Sequence, residues 1–153
     1  MKITGPLTKI AAAAVVSAAA LVGVGVKNYA PQDASDLVQY QIKCTQAQAF
    51  HDKYVFESTQ GAMAFTDGES HRPEITAKAY ARMGIGIAAS LHTQRLARDK
   101  MLILNGKYSP NATDYQYAGE VWEAIGPAFG VQTAWGGRFN DANHFSCSWG
   151  GRK

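Results

Sequence analysis

The chain has 153 residues, of which 46% are hydrophobic and 18% are charged, so its composition fits one globular domain and excludes a disordered tail protein. Its formal net charge of +3 is too small to indicate a nucleic-acid partner, and we expect none. Two cysteines are too few for a disulfide-dense scaffold or a four-cysteine zinc module.

Near the N-terminus, an uncharged run covers residues 10–26, between Lys9 and Lys27. Lys2 and Lys9 place the N-terminus in the cytoplasm by the positive-inside rule, so the rest of the chain is expected to cross the membrane. As a helix the run would reach roughly 25 Å, just short of the roughly 30 Å hydrocarbon core. Rich in alanine, it resembles the signal-anchor-release segment of certain phage endolysins, which enters the bilayer and later leaves it. A cleaved signal peptide and a buried helix of the folded domain are the alternatives.

The next segment, residues 28–60, is predicted to be a linker followed by an amphipathic helix over residues 35–57 that packs on the domain. Its apolar residues recur at steps of three and four, as a helix with one buried face requires. They are Leu37, Tyr40, Cys44, Ala47, Phe50 and Tyr54. On this pattern His51 is interpreted as a residue of the helix surface.

Further elements are predicted within residues 61–153. Pro73 is suited to the first position of a second helix, because its fixed φ angle fits there and its missing N–H is not needed. Asn105-Gly106 supplies the two positive φ angles of a tight hairpin turn, which predicts strands on either side. Asp114 begins a third predicted helix, and a short strand is expected from His144.

Four side chains offer metal-binding chemistry: His92 and Asp99, seven residues apart, and Asp141 and His144, three apart. A catalytic zinc needs three protein ligands and one open position for water. His92, Asp99 and His144 would supply the ligands and leave Asp141 beside the bound water. The first pair needs an intervening loop, and the second converges only across a turn, because residues i and i+3 of a straight strand face opposite sides. Taken alone, each pair is also compatible with ordinary surface or buried residues.

Longer sequence blocks surround these residues in a fixed order. They are Ser90-x-His92, Arg95-Leu96-Ala97-x-Asp99, Asn105-Gly106-Lys107-Tyr108 and Trp135-Gly136-Gly137-Arg138-Phe139-x-Asp141-x-x-His144-Phe145. With them, residues 65–147 resemble the D-alanyl-D-alanine carboxypeptidase and L-alanyl-D-glutamate endopeptidase family of zinc peptidases, particularly its phage endolysins. The resemblance implies an α+β fold, in which a small antiparallel sheet and packed helices surround a single zinc site and a hydrophobic helix precedes them. It also implies that His92, Asp99 and His144 bind Zn²⁺ and that Asp141 is the general base.

Two departures from the family pattern lie close to these residues. Arg72 occupies the place of an arginine that is expected to contact the substrate or the developing oxyanion, but His71 replaces the aromatic residue that precedes it in relatives. Arg98 and Lys100 flank Asp99 where relatives have apolar residues. Their side chains must point away from the metal. Facing solvent on an edge strand they would preserve the site, whereas facing the core they would misplace Asp99.

The resemblance and the expected export together imply an extracytoplasmic zinc metallopeptidase. Residues 1–27 would be the signal anchor that tethers it to the inner membrane on the periplasmic side, and residues 61–153 the peptidase domain. Its substrate would be the peptide stem of peptidoglycan, cut at L-Ala–D-Glu by a monomeric endolysin for host cell lysis. A D,D-carboxypeptidase that trims stem peptides and a membrane-tethered, non-catalytic wall-binding protein are the alternatives.

The two cysteines, Cys44 and Cys147, would meet an oxidising compartment after export. One hypothesis is therefore a disulfide that joins the first helix to the strand after His144. Two buried thiols are the alternative.

Overall fold

The computed structural model describes residues 34–153, so the predicted signal anchor and hydrophobic helix within residues 1–27 lie outside the described residues. No helix within residues 34–153 is both long and apolar enough to cross a membrane. Three α-helices and five strands make up this part of the chain. In order they are α1 (Ala34–Ser58), β1 (Met63–Asp67), α2 (Glu74–Arg82), β2 (Ala97–Leu104), β3 (Lys107–Tyr108), α3 (Gln116–Ile125), β4 (Thr133–Trp135) and β5 (His144–Cys147).

All strand pairs of the sheet are antiparallel, and the strand order is β1-β2-β5-β4, with β3 pairing to β2 beside this path. Helices α1 and α3 contact each other, α1 also contacts β1, and α3 contacts β4. The expected α+β architecture of a small antiparallel sheet with packed helices is therefore confirmed. Because β2 has neighbours on both sides, it is an interior strand rather than the edge strand that would let its charged residues face solvent.

The predicted local elements agree with the structure to within a few residues. Helix α1 covers the predicted 35–57, and α2 begins directly after Pro73. Asn105 and Gly106 both have positive φ angles, of 51° and 76°, in the turn between β2 and β3. The third helix starts slightly later than expected, because a 3-10 turn at Ala112–Tyr115 precedes α3.

Helix α1 buries polar as well as apolar side chains on its inner face, and this overturns the interpretation of His51 as a surface residue. His51 is 0% exposed and lies on the same face as Tyr40, Ala47 and Val55. Its Nε2 is 2.8 Å from the carbonyl oxygen of Ala118 on α3. Since a carbonyl only accepts, Nε2 carries the proton and Nδ1 is left as an acceptor.

A fully buried lysine donates a hydrogen bond to Nδ1 of His51. Lys100 of β2 is 0% exposed, and its Nζ lies 2.9 Å from Nδ1 of His51 and 2.6 Å from Oδ1 of Asp52. The ammonium also lies over the rings of Phe65, Trp122 and Phe145, at 4.9 to 5.4 Å from their centroids. Burial lowers the pKa of Lys100 to about 8, against the opposing charge of Asp52, so the side chain is a paired cation at neutral pH.

The expectation that a core-facing Lys100 would misplace Asp99 is wrong. Successive residues of a strand point to opposite faces, so Lys100 can enter the core while Asp99 faces the other side of the sheet. Arg98, on the same face as Lys100, is half-buried and pairs with Asp52 and Asp67. The acidic partners on α1 and β1 make the unusual basic residues compatible with an interior strand.

A disulfide joins Cys44 on α1 to Cys147, the last residue of β5. Both cysteines are buried, and the bridge spans 103 residues of sequence. Of the two hypotheses for this pair, the structure has the bridge. It ties the first helix to the strand that begins at His144.

The buried His51 predicts acid-sensitive stability. Burial, together with the charge of Lys100, lowers the pKa of His51 to about 4, against the opposing effects of Asp52 and the Ala118 carbonyl. As the pH falls, the His51 ring of the unfolded chain therefore binds a proton near pH 6.5, whereas the ring of the folded chain binds it only near pH 4. We expect the free energy of unfolding of metal-free protein to fall by about 3 kcal/mol between these pH values, measured by urea denaturation.

The variant His51→Gln keeps a donor for the Ala118 carbonyl and removes the titrating ring. This variant should be less stable than the wild type at pH 7, but its free energy of unfolding should fall less between pH 6.5 and pH 4. His71→Gln is the matched control, because His71 is exposed, and it should keep the wild-type slope. Identical slopes in the wild type and His51→Gln would contradict this assignment.

Candidate metal centre

Three potential metal ligands from separate segments meet at one point of the sheet. Nε2 of His92 lies 3.3 Å from Nδ1 of His144 and 3.3 Å from Oδ1 of Asp99, and the remaining distance, from Nδ1 of His144 to Oδ1 of Asp99, is 3.2 Å. Both imidazoles are buried, and the aspartate is partly accessible. The predicted ligand set is therefore brought together, with one carboxylate oxygen and two ring nitrogens converging.

The pairing of β2 with β5 explains why Asp99 and His144 meet. They are directly opposite each other in the antiparallel register, where side chains on the same face are neighbours. On the other side of β2, the backbone N–H of Asp99 donates to the carbonyl of Glu69 at 2.8 Å. The aspartate is thus held from both flanks of an interior strand.

His92 reaches the same point from a short 3-10 helix, Leu91–Gln94, that precedes β2. The side chain of Ser90 caps this helix by accepting from the N–H of His92 at 3.3 Å. Arg95 then adopts a left-handed conformation with φ of 53°, which turns the chain into β2. This is the intervening loop that the seven-residue spacing required.

A tight turn before β5 sets the direction of His144. The N–H of Asp141 donates to Gly136 at 2.9 Å, and the N–H of His144 donates to the carbonyl of Asp141 at 3.0 Å. A Cβ at position 136 would lie 2.1 Å from the Asp141 carbonyl oxygen and 2.7 Å from Cβ of His144, so only glycine fits there. The glycine of the Trp135-Gly136 block is therefore a packing requirement of the site.

The electrostatics of the cluster favour an ionised carboxylate. Burial raises the pKa of Asp99, but the hydrogen bonds and charges of His144 and His92 outweigh it and hold the pKa well below its usual range. Asp99 is therefore an anion at neutral pH. Metal ligands of this type bind in the deprotonated form, so the site needs no proton release from Asp99.

The geometry and donor set fit zinc. A tetrahedral zinc ion with bonds of about 2.0–2.1 Å separates its ligand atoms by roughly 3.3–3.4 Å. The three distances of 3.2 to 3.3 Å in the cluster match that edge length. Two imidazoles with one carboxylate also leave a fourth position for water, as catalytic sites do.

Asp141 and Arg72, the other predicted site residues, are not part of this cluster. Asp141 is exposed, and its backbone forms the turn before His144. Arg72 donates its backbone N–H to the carbonyl of His92 at 3.2 Å, so its segment contacts a ligand directly. Its guanidinium lies 5.0 Å from the ring centroid of Tyr80.

Glu69 is a site residue that the sequence reasoning missed. Nε of Arg72 donates to both carboxylate oxygens of Glu69, and Nη2 donates to one of them. These hydrogen bonds raise the pKa of Arg72, while the Glu69 carbonyl receives the N–H of Asp99. An acidic residue three positions before the arginine was the available signal.

No family model matches the sequence, and no curated protein matches it. Among solved structures, the fold is similar to that of the L-Ala D-Glu endopeptidase ChiX of Serratia marcescens. The TM-score is 0.56 at 19% sequence identity, and the match covers 80% of this chain and 91% of that chain. At this identity the similarity establishes a shared fold.

The cluster predicts one zinc ion per chain. We expect His144→Ala and Asp99→Asn to weaken zinc binding by about 100-fold or more, because each leaves only two ligands. The measurement is competition against a chromophoric chelator, with metal content read by mass spectrometry. His71→Gln should bind zinc as the wild type does, and undiminished zinc binding by both ligand variants would contradict the assignment.

Proposed function

We propose that this protein is a zinc peptidase that hydrolyses the peptide stem of peptidoglycan at the L-Ala–D-Glu bond. The observation that carries the proposal is the convergence of His92, Asp99 and His144 at distances that suit tetrahedral zinc. Two further observations support it. The fold is similar to that of an L-Ala D-Glu endopeptidase, and the sequence blocks around the ligands resemble those of the corresponding peptidase family.

The proposed chemistry assigns different work to different residues. When bound, zinc supplies a water of lowered pKa and polarises the peptide carbonyl. Asp141 accepts the proton of the attacking water and returns it to the leaving amine. Its exposed position in the turn before β5 gives it access to solvent and to a bound peptide. As an aspartate outside the ligand cluster, it can change protonation without releasing a ligand.

Arg72 is proposed to stabilise the oxyanion. Glu69 engages its Nε and Nη2, which fixes the plane of the guanidinium and leaves Nη1 outside that ion pair. A donor held in this way costs little reorganisation when negative charge develops on the substrate. The ion pair with Glu69 therefore orients the arginine without using all of its donors.

The cellular role that we propose is that of a phage endolysin. Residues 1–27 export the chain and tether it to the inner membrane through residues 10–26, so that the domain acts in the periplasm. The apolar run between Lys9 and Lys27 supports this role. The disulfide between Cys44 and Cys147 supports it too, because such bridges persist in oxidising compartments.

Digestion of peptidoglycan tests the activity directly. Zinc-loaded full chain, incubated with Gram-negative sacculi, should release fragments in which mass spectrometry finds a free lactyl-L-Ala end. Asp141→Asn should keep stoichiometric zinc but lose at least about 100-fold in rate, since general base catalysis contributes about that much. Glu57→Gln, an exposed change at the end of α1, is the control and should remain active. Release of D-Ala alone, or intact polymer with bound zinc, would refute the proposal.

Cell fractionation tests the proposed export. Expressed in a Gram-negative host, the full chain should appear in the inner membrane fraction and cause lysis. A chain that lacks residues 1–27 should remain in the cytoplasm and leave the cells intact, because the positively flanked apolar run is missing. Lysis by the truncated chain at the same expression level would argue against this role.

A further inference from the structure

An exposed aromatic side chain stands beside one of the candidate metal ligands. Phe139 is the last residue of the 3-10 helix Gly136–Phe139, and it is 47% exposed. Its ring centroid lies 6.2 Å from that of the His144 imidazole, with an angle of 60° between the ring planes. The exposed Asp141, the proposed general base, follows two residues later. Phe139 therefore borders the place where a scissile peptide bond would meet the ligand cluster and the base.

The hydrophobic core does not account for this ring. Several partly buried aromatic side chains of residues 34–153 pack against the core, among them Phe50, Phe65 and Phe129, but Phe139 is not one of them. A surface aromatic alone is ordinary and indicates no ligand. Phe139 differs because its ring packs on the imidazole of a candidate metal ligand, at a separation that is typical of aromatic pairs. The ring is therefore a wall of the site, with one side available to a bound molecule.

The surroundings of Phe139 favour an apolar partner over a charged one. The neighbouring cation, Arg138, is already engaged, because its Nη2 donates to the carboxylate of Glu123 at 2.7 Å. Its guanidinium also lies over the ring of Trp135, at 5.3 Å from the centroid. The exposed part of Phe139 itself offers hydrocarbon surface. A group that covers this surface removes apolar area from water, which stabilises binding roughly in proportion to the area.

The two sides of the proposed scissile bond differ in their chemistry. On the amine side, D-Glu carries a free carboxylate. On the acyl side, L-Ala and the lactyl group each carry a methyl group. The methyl group of L-Ala is two bonds from the carbonyl carbon that is attacked, so it stays close to the ligand cluster. It is therefore the apolar group that a ring beside His144 is suited to cover.

We propose that Phe139 is a specificity-determining residue whose ring packs against the methyl group of L-Ala on the acyl side of the scissile bond. This inference rests on the proposed function and adds the contact by which the acyl residue is recognised. The ring takes no part in proton transfer and supplies no metal ligand. Its contribution is to binding, because it selects alanine over glycine at this position of the stem.

Calorimetry with two peptides tests this contact without hydrolysis. The parent protein is the zinc-loaded full chain with Asp141→Asn, in detergent. The probes are N-acetylmuramoyl-L-Ala-γ-D-Glu-diaminopimelate and the same peptide with glycine in place of L-Ala. We expect the glycine peptide to bind the parent about fourfold more weakly, because it lacks one methyl group. When Phe139→Ser is added to the parent, the alanine peptide should lose at least about fourfold in affinity and the ratio between the two peptides should fall to about one.

Further variants separate a substrate contact from a structural role. Phe139→Leu keeps an apolar side chain and should preserve most of the ratio between the two peptides. Both Phe139 variants should retain one zinc ion per chain, because neither removes a ligand. Phe56→Ser is the matched control, since Phe56 is 50% exposed on α1 and its carbonyl accepts from the N–H of Gly61, before β1 begins. This control should leave both affinities unchanged.

Three results would overturn the proposed contact. They are the absence of saturable binding of the alanine peptide to the parent, equal binding of the two peptides by the parent, and an unchanged ratio in Phe139→Ser at full zinc content. Failure of the proposed hydrolysis is recognised separately, as sacculi that stay intact with the wild type. The binding ratio does not require hydrolysis, so the two failures are distinguishable.

Discussion

The alternation of side chains along β2 is the constraint on which the rest of the structure depends. Asp99 faces the two imidazoles, and the next residue, Lys100, enters an aromatic core where Asp52 neutralises it. A slip of one residue in register would exchange them, placing an ammonium among the ligands and a carboxylate among aromatic rings. An unpaired buried charge is strongly unfavourable, so the Lys100–Asp52 pair penalises the wrong register. The buried lysine thereby helps to specify the candidate metal centre on the opposite face.

Helix α1 joins this arrangement to the rest of the chain. It supplies His51 and Asp52 to the lysine and carries Cys44, whose disulfide ends at β5. The bridge closes a loop that spans 103 residues. If its effect is described as lost conformational entropy of the unfolded chain, a loop of this length corresponds to a stabilisation of roughly 4 to 5 kcal/mol. Because β5 begins with His144, the bridge fixes α1 to the same strand that presents a ligand. The helix is therefore part of the scaffold of the site.

Sequence patterns predicted the elements of this fold well, because capping prolines, Asn-Gly turns and apolar periodicity act locally. The convergence of His92, Asp99 and His144 could also be predicted, since the sequence blocks around these residues are distinctive. The buried polar residues of the core could not be predicted in this way. A pattern of apolar residues assigns His51 to the surface and makes Lys100 look disruptive, because the partners of both lie on other elements. Glu69 escaped for a similar reason: its role depends on two contacts, with Arg72 and Asp99, that only the tertiary structure creates.

The three ligands come from a 3-10 helix, an interior strand and the strand beside it, and each is held by a different device. The Ser90 cap with the left-handed Arg95 directs His92, the strand register pairs Asp99 with His144, and the close approach at Gly136 shapes the turn before β5. None of these backbone contacts requires a cation. The conformational entropy of the three side chains is therefore lost when the chain folds, rather than when a metal binds. A cluster organised in this way presents three ligand atoms without further rearrangement and leaves a fourth coordination position open, the arrangement that is typical of catalytic zinc sites.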